Sequence, residues 1–149
     1  MRAVIQRVKY AGVRVDDKTV GKIDNGMLIF LGIAETDKDS DLDYIFDKCI
    51  GIRIFEDEDG KMNKSLSEVG GSILLVSQFT LQGDARKGKR PSFTDAARPE
   101  KAIPYYDEFI KRCKNLNINI QTGVFGEDMQ VELCNDGPVT ILLDSSKLF

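Results

Sequence analysis

The stretch SILLVSQFTL, residues 72–81, is the most apolar run in the chain, and the other segments are interpreted around it. Its four consecutive apolar residues, 73–76, predict a central strand that is covered on both faces, because a half-exposed strand alternates apolar and polar residues. We expect this strand to continue to Leu81. Its far end carries a group of polar and aromatic side chains, namely Ser77, Gln78, Phe79 and Thr80. A basic loop follows directly, so the strand end is a candidate site for chemistry on a polyanion.

The first 33 residues predict a β-meander of short strands. The segments with strand character are 2–9, 11–16, 19–23 and 27–33. Gly12, near the junction of the first two segments, predicts a bulge or bend. The triplet Asp24-Asn25-Gly26 predicts a tight hairpin, because Asn-Gly readily adopts the positive φ angles of a primed turn.

Two segments have the periodicity of amphipathic helices. The first carries apolar residues at i, i+3, i+4, i+7 and i+8, which are Leu42, Ile45, Phe46, Cys49 and Ile50. Aspartates crowd its first turns, where the helix dipole favours negative charge. The second helix is expected over residues 100–115, with one apolar face made of Ile103, Tyr106, Phe109, Ile110 and Cys113.

The remaining segments complete an α+β pattern. We expect a short strand at 52–55, an irregular segment at 61–71 and a long loop at 82–98. Three further strands are expected at 118–122, 129–134 and 139–143. The order predicts one domain, residues 1–149, in which layered or barrel-like, mostly antiparallel sheet carries two main helices on one side.

The composition excludes several kinds of site. The 149 residues contain no histidine, so neither a Ser-His-Asp nor a Cys-His pair exists within the chain. The three cysteines, Cys49, Cys113 and Cys134, lack metal or redox spacing and are expected to be small buried residues. We therefore expect neither a metal nor another cofactor. Because the sequence shows no signal peptide or membrane span, we expect a cytoplasmic protein.

Charge is segregated along the chain although the net charge is only −3. Residues 35–59 contain ten acidic and three basic residues, a net of −7. Residues 86–98 contain five basic residues and one acidic residue, a net of +4. We expect the loop side chains Arg86, Lys87, Lys89 and Arg90 to bind phosphates, while the acidic remainder repels non-specific nucleic acid.

The residues of the strand end have ordinary interpretations as well as functional ones. Hydroxyls, an amide and main-chain N–H groups are suited to stabilising an oxyanion, yet polar residues are also common at strand ends. Phe79 is either a core residue or a platform on which a base stacks. Near the C-terminus, Gly137-Pro138 is either an ordinary trans turn or a specified cis bond.

Two motifs, 77–81 (SQFTL) and 135–140 (NDGPVT), together resemble the paired signatures of the D-aminoacyl-tRNA deacylases, the D-Tyr-tRNA deacylase family. The resemblance runs along the whole chain. It includes MRAVIQRV at 1–8, GDARKG at 83–88, PSF at 91–93 and GVFG at 123–126. Together these motifs are specific, and the chain departs from neither of the two signatures.

The resemblance implies a homodimer that hydrolyses the ester between a D-amino acid and the terminal adenosine of tRNA. It further implies that a cis Gly137-Pro138 motif enters the pocket of the other subunit and excludes L-amino acids. Arg7 would orient the Gly137-Pro138 pair, and Asn135 begins the segment that carries this pair. Phe125 would line the pocket, and Ser77, Gln78, Phe79 and Thr80 would surround the ester and the adenosine. Glycyl-tRNA, which has no side chain to reject, is the implied second substrate.

The role of Thr80 stays open between two mechanisms. As a nucleophile it lacks an evident base, whereas the ribose 2′-hydroxyl of the tRNA offers substrate assistance. Two other functions also compete with the implied one. They are a non-catalytic RNA-binding module that uses the basic loop, and a hydrolase of free small-molecule esters.

Overall fold

The two longest strands, β1 (Arg2–Val15) and β8 (Gln130–Asp144), run antiparallel beside each other along nearly their whole length. They belong to a computed structural model that describes residues 1–148. The other strands are β2 (Lys18–Ile23), β3 (Gly26–Gly32), β4 (Phe55–Glu56), β5 (Met62–Lys64), β6 (Ser72–Ser77) and β7 (Ile120–Thr122). The helices are α1 (Asp39–Gly51), α2 (Pro99–Asn115) and the single 3₁₀ turn Phe79–Gln82.

Within the described residues, six strands form one strongly curved sheet, and β4 pairs with β5 in a separate small hairpin. β3, β6 and β7 are parallel neighbours, and the pairings of β1 are antiparallel. The sheet nearly closes where β2 approaches β7, because a Cβ placed on Gly21 would lie 2.5 Å from the main-chain oxygen of Thr122. The predicted α+β, barrel-like architecture with two helices on one side is confirmed.

The predicted meander is wrong, because β2 and β3 do not pair with each other. Both lie along the same edge of β1. The β1–β2 pairing at Ala11–Ile23 and the β1–β3 pairing at Val8–Gly26 continue one antiparallel register. A tight turn lies at Asp16 and Asp17, whose φ angles are 47° and 61°. The first 32 residues therefore form one long hairpin whose second arm is interrupted at residues 24–25.

Gly26 is required for close packing and not for a turn. A Cβ at this position would lie 1.9 Å from the main-chain oxygen of Ser72, at the first pair of the β3–β6 ladder. The Asn-Gly pair therefore marks the point where two parallel strands begin to touch. From sequence, the two uses of glycine look the same.

The central strand is covered on both faces, as predicted. Ile73 and Leu75 pack in the core under the two helices, whereas Leu74 and Val76 pack in a second core on the opposite face. The strand ends at Ser77 and not at Leu81, because the main-chain N–H of Gln78 makes a last bond to the oxygen of Leu31, at 2.8 Å. The chain then turns into the 3₁₀ segment.

Both helices follow the predicted segments with one error. In α1 the buried residues are Leu42, Ile45, Phe46 and Cys49. In α2 the residues Tyr106, Phe109 and Cys113 are buried as expected, but Ile103 is 39% exposed. Ala102 occupies the buried position instead, because the buried face of the helix, which begins at Pro99, repeats through Ala102, Tyr106, Phe109 and Cys113.

Several smaller predictions are wrong. β4 begins at residue 55 and not at 52, and β5 lies within the segment predicted to be irregular. The last two predicted strands are one strand, β8, with an internal bulge. The irregularities in the pairing of β1 fall near Val8 and Val13, not at Gly12 itself. Cys134 is exposed, because it lies on the outer face of β8.

None of the helices in the described part of the chain is long and apolar enough to cross a membrane.

Candidate active site

A cleft of about 300 Å³ opens at the carboxyl end of β6. Its polar and aromatic wall is formed by Ser77, Gln78, Phe79 and Phe125. The floor is apolar and consists of Leu31, Ile33, Val76, Ala97, Ala102, Met129 and Val131. Two carboxylates, Glu127 and Asp128, lie at one side. The size suits one small ligand group, held by apolar contact and oriented by a few polar atoms.

The hydroxyl of Thr80 accepts a hydrogen bond from the side-chain amide of Gln78. Thr80 is exposed and does not line the cleft, although it adjoins residues that do. Among the described residues, no carboxylate, amine or other ionisable group is hydrogen-bonded to this hydroxyl. The local chemistry therefore positions an amide and a hydroxyl but supplies no base to activate Thr80.

The 3₁₀ turn that carries Phe79 and Thr80 is held firmly from below. The side-chain amide of Gln82 donates to the main-chain oxygen of Gly32 at 2.8 Å, and Arg2 Nη1 donates to the oxygen of Leu81 at 2.8 Å. Within residues 1–148, the main-chain N–H groups of Phe79 and Thr80 have no hydrogen-bond partner. Two such N–H groups at a fixed turn can stabilise an oxyanion.

Phe79 is exposed and is not a core residue, with 57% of its surface accessible. Its ring makes an edge-to-face contact with Phe93, with ring centroids 5.4 Å apart and an interplanar angle of 72°. An exposed aromatic ring at the mouth of a cleft is the geometry of a stacking platform.

Phe125 is held in the cleft wall by the core beneath it. Its ring meets Tyr106 edge to face, with centroids 6.0 Å apart. The Tyr106 hydroxyl donates to the main-chain oxygen of Leu75 at 2.8 Å, and burial raises the pKa of this phenol. Phe125 is thereby tied through helix α2 to the central strand.

The basic loop contains one neutralised and three available cations. Arg86 makes a two-pronged contact with Asp84, with N–O distances of 2.9 and 2.7 Å. This contact with Arg86 lowers the pKa of Asp84 to about 2. Lys87, Lys89 and Arg90 are exposed and have no ion-pair partner among the described residues. These three side chains are therefore the ones free to bind phosphates.

Gly137 and Pro138 lie on a wide bulge of β8. Between the pairs Gln6–Thr140 and Val8–Asn135, the single residue Arg7 of β1 lies opposite four residues of β8, 136–139. The Gly137-Pro138 peptide bond is cis, and both residues are exposed. A Cβ on Gly137 would lie 2.1 Å from the main-chain nitrogen of Val139, so only glycine fits this loop.

Arg7 is buried directly beneath that bulge. Its Nε donates to the main-chain oxygen of Asp136 at 2.8 Å, and its Nη1 donates to that of Ile54 at 2.6 Å. The carboxylates of Asp136 and Glu56 balance its charge at 3.3 and 3.6 Å. With its side-chain amide turned by 180°, Asn135 donates from its amide nitrogen to the main-chain oxygens of Arg7 and Val139, at 3.1 and 3.2 Å.

The candidate residues thus fall into two groups within one chain. The cleft brings Ser77, Gln78, Phe79 and Phe125 together. The second group, Arg7, Asn135, Gly137 and Pro138, does not line that cleft. The basic side chains are on a separate loop that joins the cleft through Phe93.

The sequence interpretation did not identify several of these residues. Phe93 and Asp136 occur in the sequence pattern only as members of the motifs 91–93 and 135–140, and Glu56 lies in an acidic stretch without a motif. Among residues 1–148 there is no cluster of three or more His, Cys, Asp or Glu side chains with the geometry of a metal site.

Comparison with known proteins places this architecture in one family. A family model described as D-Tyr-tRNA(Tyr) deacylase matches residues 4–144. A protein of Thermosipho africanus (strain TCF52B) named D-aminoacyl-tRNA deacylase is 57% identical over 149 residues, which are 100% of both chains.

Two solved structures have the same fold. One, titled c-Myc DNA Unwinding Element Binding Protein, has a TM-score of 0.91 and 40% identity and covers 97% of this chain and 98% of its own. The other, titled as a probable eukaryotic D-amino acid tRNA deacylase, has a TM-score of 0.78 over 95% of this chain and 97% of its own. At 18% identity, this second likeness concerns the fold alone. From the family model and the full-length relative, the chain belongs to the D-Tyr-tRNA(Tyr) deacylase family.

Proposed function

We propose that this protein hydrolyses the ester that joins a D-amino acid to the 3′-terminal adenosine of tRNA, and that it rejects the L-isomer. Its products are the free D-amino acid and the tRNA. Family membership and the name of the full-length relative support the reaction. The cleft at the end of β6 supports the place where it occurs.

In this proposal the terminal adenosine and the ester occupy the cleft wall made by Ser77, Gln78 and Phe79. The exposed ring of Phe79 offers a surface for stacking, and Phe125 completes the same wall. The free N–H groups of Phe79 and Thr80 stabilise the negative charge that develops on the ester oxygen. Gln78 and Thr80 orient the ester through their shared hydrogen bond.

The hydrolytic step uses a group of the substrate as its proton relay. Water attacks the ester carbonyl carbon, and the bond to the ribose 3′-oxygen breaks. The neighbouring 2′-hydroxyl passes a proton from the attacking water to the leaving 3′-oxygen. This assignment is favoured because the chain has no histidine and, among the described residues, no base is hydrogen-bonded to the Thr80 hydroxyl. An adjacent hydroxyl on the same ribose has the high effective concentration of an intramolecular group.

Chirality is read by main-chain oxygens of Gly137 and Pro138 from a second copy of the chain. The single observation that carries this proposal is the separation of the two groups. Gly137 and Pro138 are exposed on a bulge, and they do not line the cleft of their own chain. A symmetric dimer completes both sites at once, because each bulge enters the other cleft.

Because main-chain oxygens make the selective contact, rejection of the L-isomer does not depend on which side chain the amino acid carries. These oxygens exclude the L-isomer by collision and leave the D side chain outside the pocket. Glycine has no side chain to exclude, so glycyl-tRNA is the expected second substrate. The free cations Lys87, Lys89 and Arg90 hold the tRNA backbone, and the enzyme acts where charged tRNA is used, in the cytoplasm.

Parallel incubation with D-Tyr-tRNA, L-Tyr-tRNA and the free D-tyrosine ethyl ester tests the proposal. The expected result is rapid release of D-tyrosine from tRNA, with much slower release from the L-form and from the free ester. Equal rates on the two tRNAs would contradict chiral selection. Binding of tRNA without hydrolysis would favour the RNA-binding module, and equal hydrolysis of the free ester would favour a small-ester hydrolase.

A further inference from the structure

We propose that Phe93 is a positioning residue for this reaction, because it holds the ring of Phe79 in the orientation that the substrate needs. The inference rests on the proposed function of the cleft but concerns a residue outside it. Phe93 does not line the cleft, and its contact there is the ring of Phe79.

The contact has the geometry of a specific aromatic pair. The centroids are 5.4 Å apart and the rings are inclined at 72°, within the range preferred by edge-to-face pairs. Phe79 stands on a surface turn, and without a neighbour its ring would sample several rotamers. Phe93 limits this freedom and still leaves 57% of Phe79 accessible to a ligand.

The backbone immediately before Phe93 is fixed relative to the turn that carries Phe79. Asp84 and Ser92 exchange two main-chain hydrogen bonds of 2.8 and 2.9 Å, which close the basic loop at its base. A Cβ on Gly83 would lie 2.9 Å from Cε1 of Phe93, so the ring packs directly against the end of the 3₁₀ turn. The Phe93 ring is therefore placed by the loop base and not by chance contact.

A purely structural role does not explain this arrangement. Phe93 is 39% exposed and belongs to neither core cluster of the described residues. A half-exposed ring outside the core contributes little to folding, but its aromatic partner among residues 1–148 is Phe79, a residue of the site. Replacement of Phe93 should therefore alter the reaction much more than the stability.

The test measures single-turnover hydrolysis of D-Tyr-tRNA as a function of enzyme concentration for Phe93→Leu, Phe93→Tyr and wild type. For Phe93→Leu we expect the rate at saturation to fall about tenfold, with the half-saturating concentration changed less than about twofold. Phe93→Tyr keeps the ring edge and should restore the rate to within about twofold. Thermal unfolding of all three should be alike.

The matched control is the triple variant Lys87→Ala, Lys89→Ala, Arg90→Ala in the same loop. It should raise the half-saturating concentration severalfold, because those residues are the proposed contacts to the tRNA backbone. The proposal is overturned if Phe93→Leu behaves like this control or like wild type. If Phe93→Leu does not fold, Phe93→Met replaces it. A wild-type protein that hydrolyses no D-Tyr-tRNA would refute the proposed function itself, which is a separate outcome.

Discussion

Arg7 Nε donates a 2.8 Å hydrogen bond to the main-chain oxygen of Asp136, the residue immediately before Gly137. The same guanidinium donates to the oxygen of Ile54, so it joins the β8 bulge to the segment that precedes β4. Because Arg7 is buried, this bond is shielded from water and holds the bulge in one position. The exposed Gly137-Pro138 pair thus stands on a rigid base.

Replacing Arg7 should therefore affect both stability and chiral selection. Arg7→Ala leaves two main-chain oxygens without their donor, and we expect a loss of about 2–4 kcal/mol in the free energy of unfolding. Arg7→Lys keeps the charge but cannot make the two directed bonds, so it should fold and discriminate less between D- and L-Tyr-tRNA. Urea denaturation and parallel hydrolysis assays measure the two effects. An Arg7→Lys protein with unchanged discrimination would contradict the role of this contact.

Thr80→Ala should retain most of the hydrolytic rate, within about fivefold of wild type, because the variant removes one hydrogen-bonding group and no nucleophile. The matching change in the substrate is a 2′-deoxy terminal adenosine. Removal of that hydroxyl should slow hydrolysis by about 100-fold or more. A collapse with Thr80→Ala and full activity on the deoxy substrate would show that Thr80 is the nucleophile.

The three free cations of the basic loop should account for much of the salt dependence of tRNA binding. The plot of log affinity against log salt concentration should lose about 0.7–0.9 in slope for each cation removed among Lys87, Lys89 and Arg90. Arg86→Ala is the matched control, because Arg86 is already paired with Asp84. Its slope should stay within about 0.3 of wild type. An equal effect for all four residues would contradict this distinction.

The ionised carboxylate of Asp144 should stabilise the fold at neutral pH and lose this contribution at acidic pH. Burial raises the pKa of Asp144, but hydrogen bonds from Arg2 Nε at 2.8 Å and from the N–H of Ser146 at 2.7 Å outweigh it, and the pKa is lowered below 3.8. A lowered pKa in the folded state means that stabilisation is full above the unfolded pKa and is lost as the pH falls through the folded one. We expect Asp144→Asn to cost about 1–2 kcal/mol at pH 7.

The Asp144→Asn variant also tests whether the carboxylate causes the pH dependence of stability. The difference in unfolding free energy between wild type and Asp144→Asn should shrink steadily as the pH falls below about 4. A difference that stays constant down to the lowest measurable pH would show that the carboxylate charge is not responsible.

The fold was predictable wherever the pattern of burial repeats along an element. The unbroken apolar run 73–76 identified the strand that is covered on both faces, and the 3.6-residue period identified both helices. The errors arose where the structure of a segment depends on contacts with residues that are distant in sequence. Asn25-Gly26 looks like a turn, but the requirement for glycine comes from Ser72, which is 46 residues away in sequence. No local pattern contains that contact.

The candidate site was predictable as a set of motifs but not as an arrangement. The sequence located Gln78, Phe79 and Gly137 through their resemblance to a family, yet nothing in it indicated that Arg86 is paired with Asp84. It likewise did not indicate that Phe79 meets Phe93. Both contacts depend on how the loop closes on itself, which is a property of tertiary structure.

The central claim is that the Gly137-Pro138 bulge of one copy acts in the cleft of another, and mixing two variants tests it most directly. A Gly137→Ala protein has an intact cleft and a displaced bulge, because the added Cβ collides with Val139. A Gln78→Ala, Phe79→Ala double variant has an intact bulge and a defective cleft. Alone, we expect the first to hydrolyse both D- and L-Tyr-tRNA and the second to hydrolyse neither.

The measurement uses a fixed amount of Gly137→Ala protein that has exchanged subunits with increasing amounts of the double variant. The rates of hydrolysis of D-Tyr-tRNA and of L-Tyr-tRNA are then measured separately. We expect hydrolysis of L-Tyr-tRNA to disappear as mixed dimers form, while hydrolysis of D-Tyr-tRNA persists, because the intact bulge then enters the intact cleft. Hydrolysis of L-Tyr-tRNA that stays constant at every ratio would contradict this expectation.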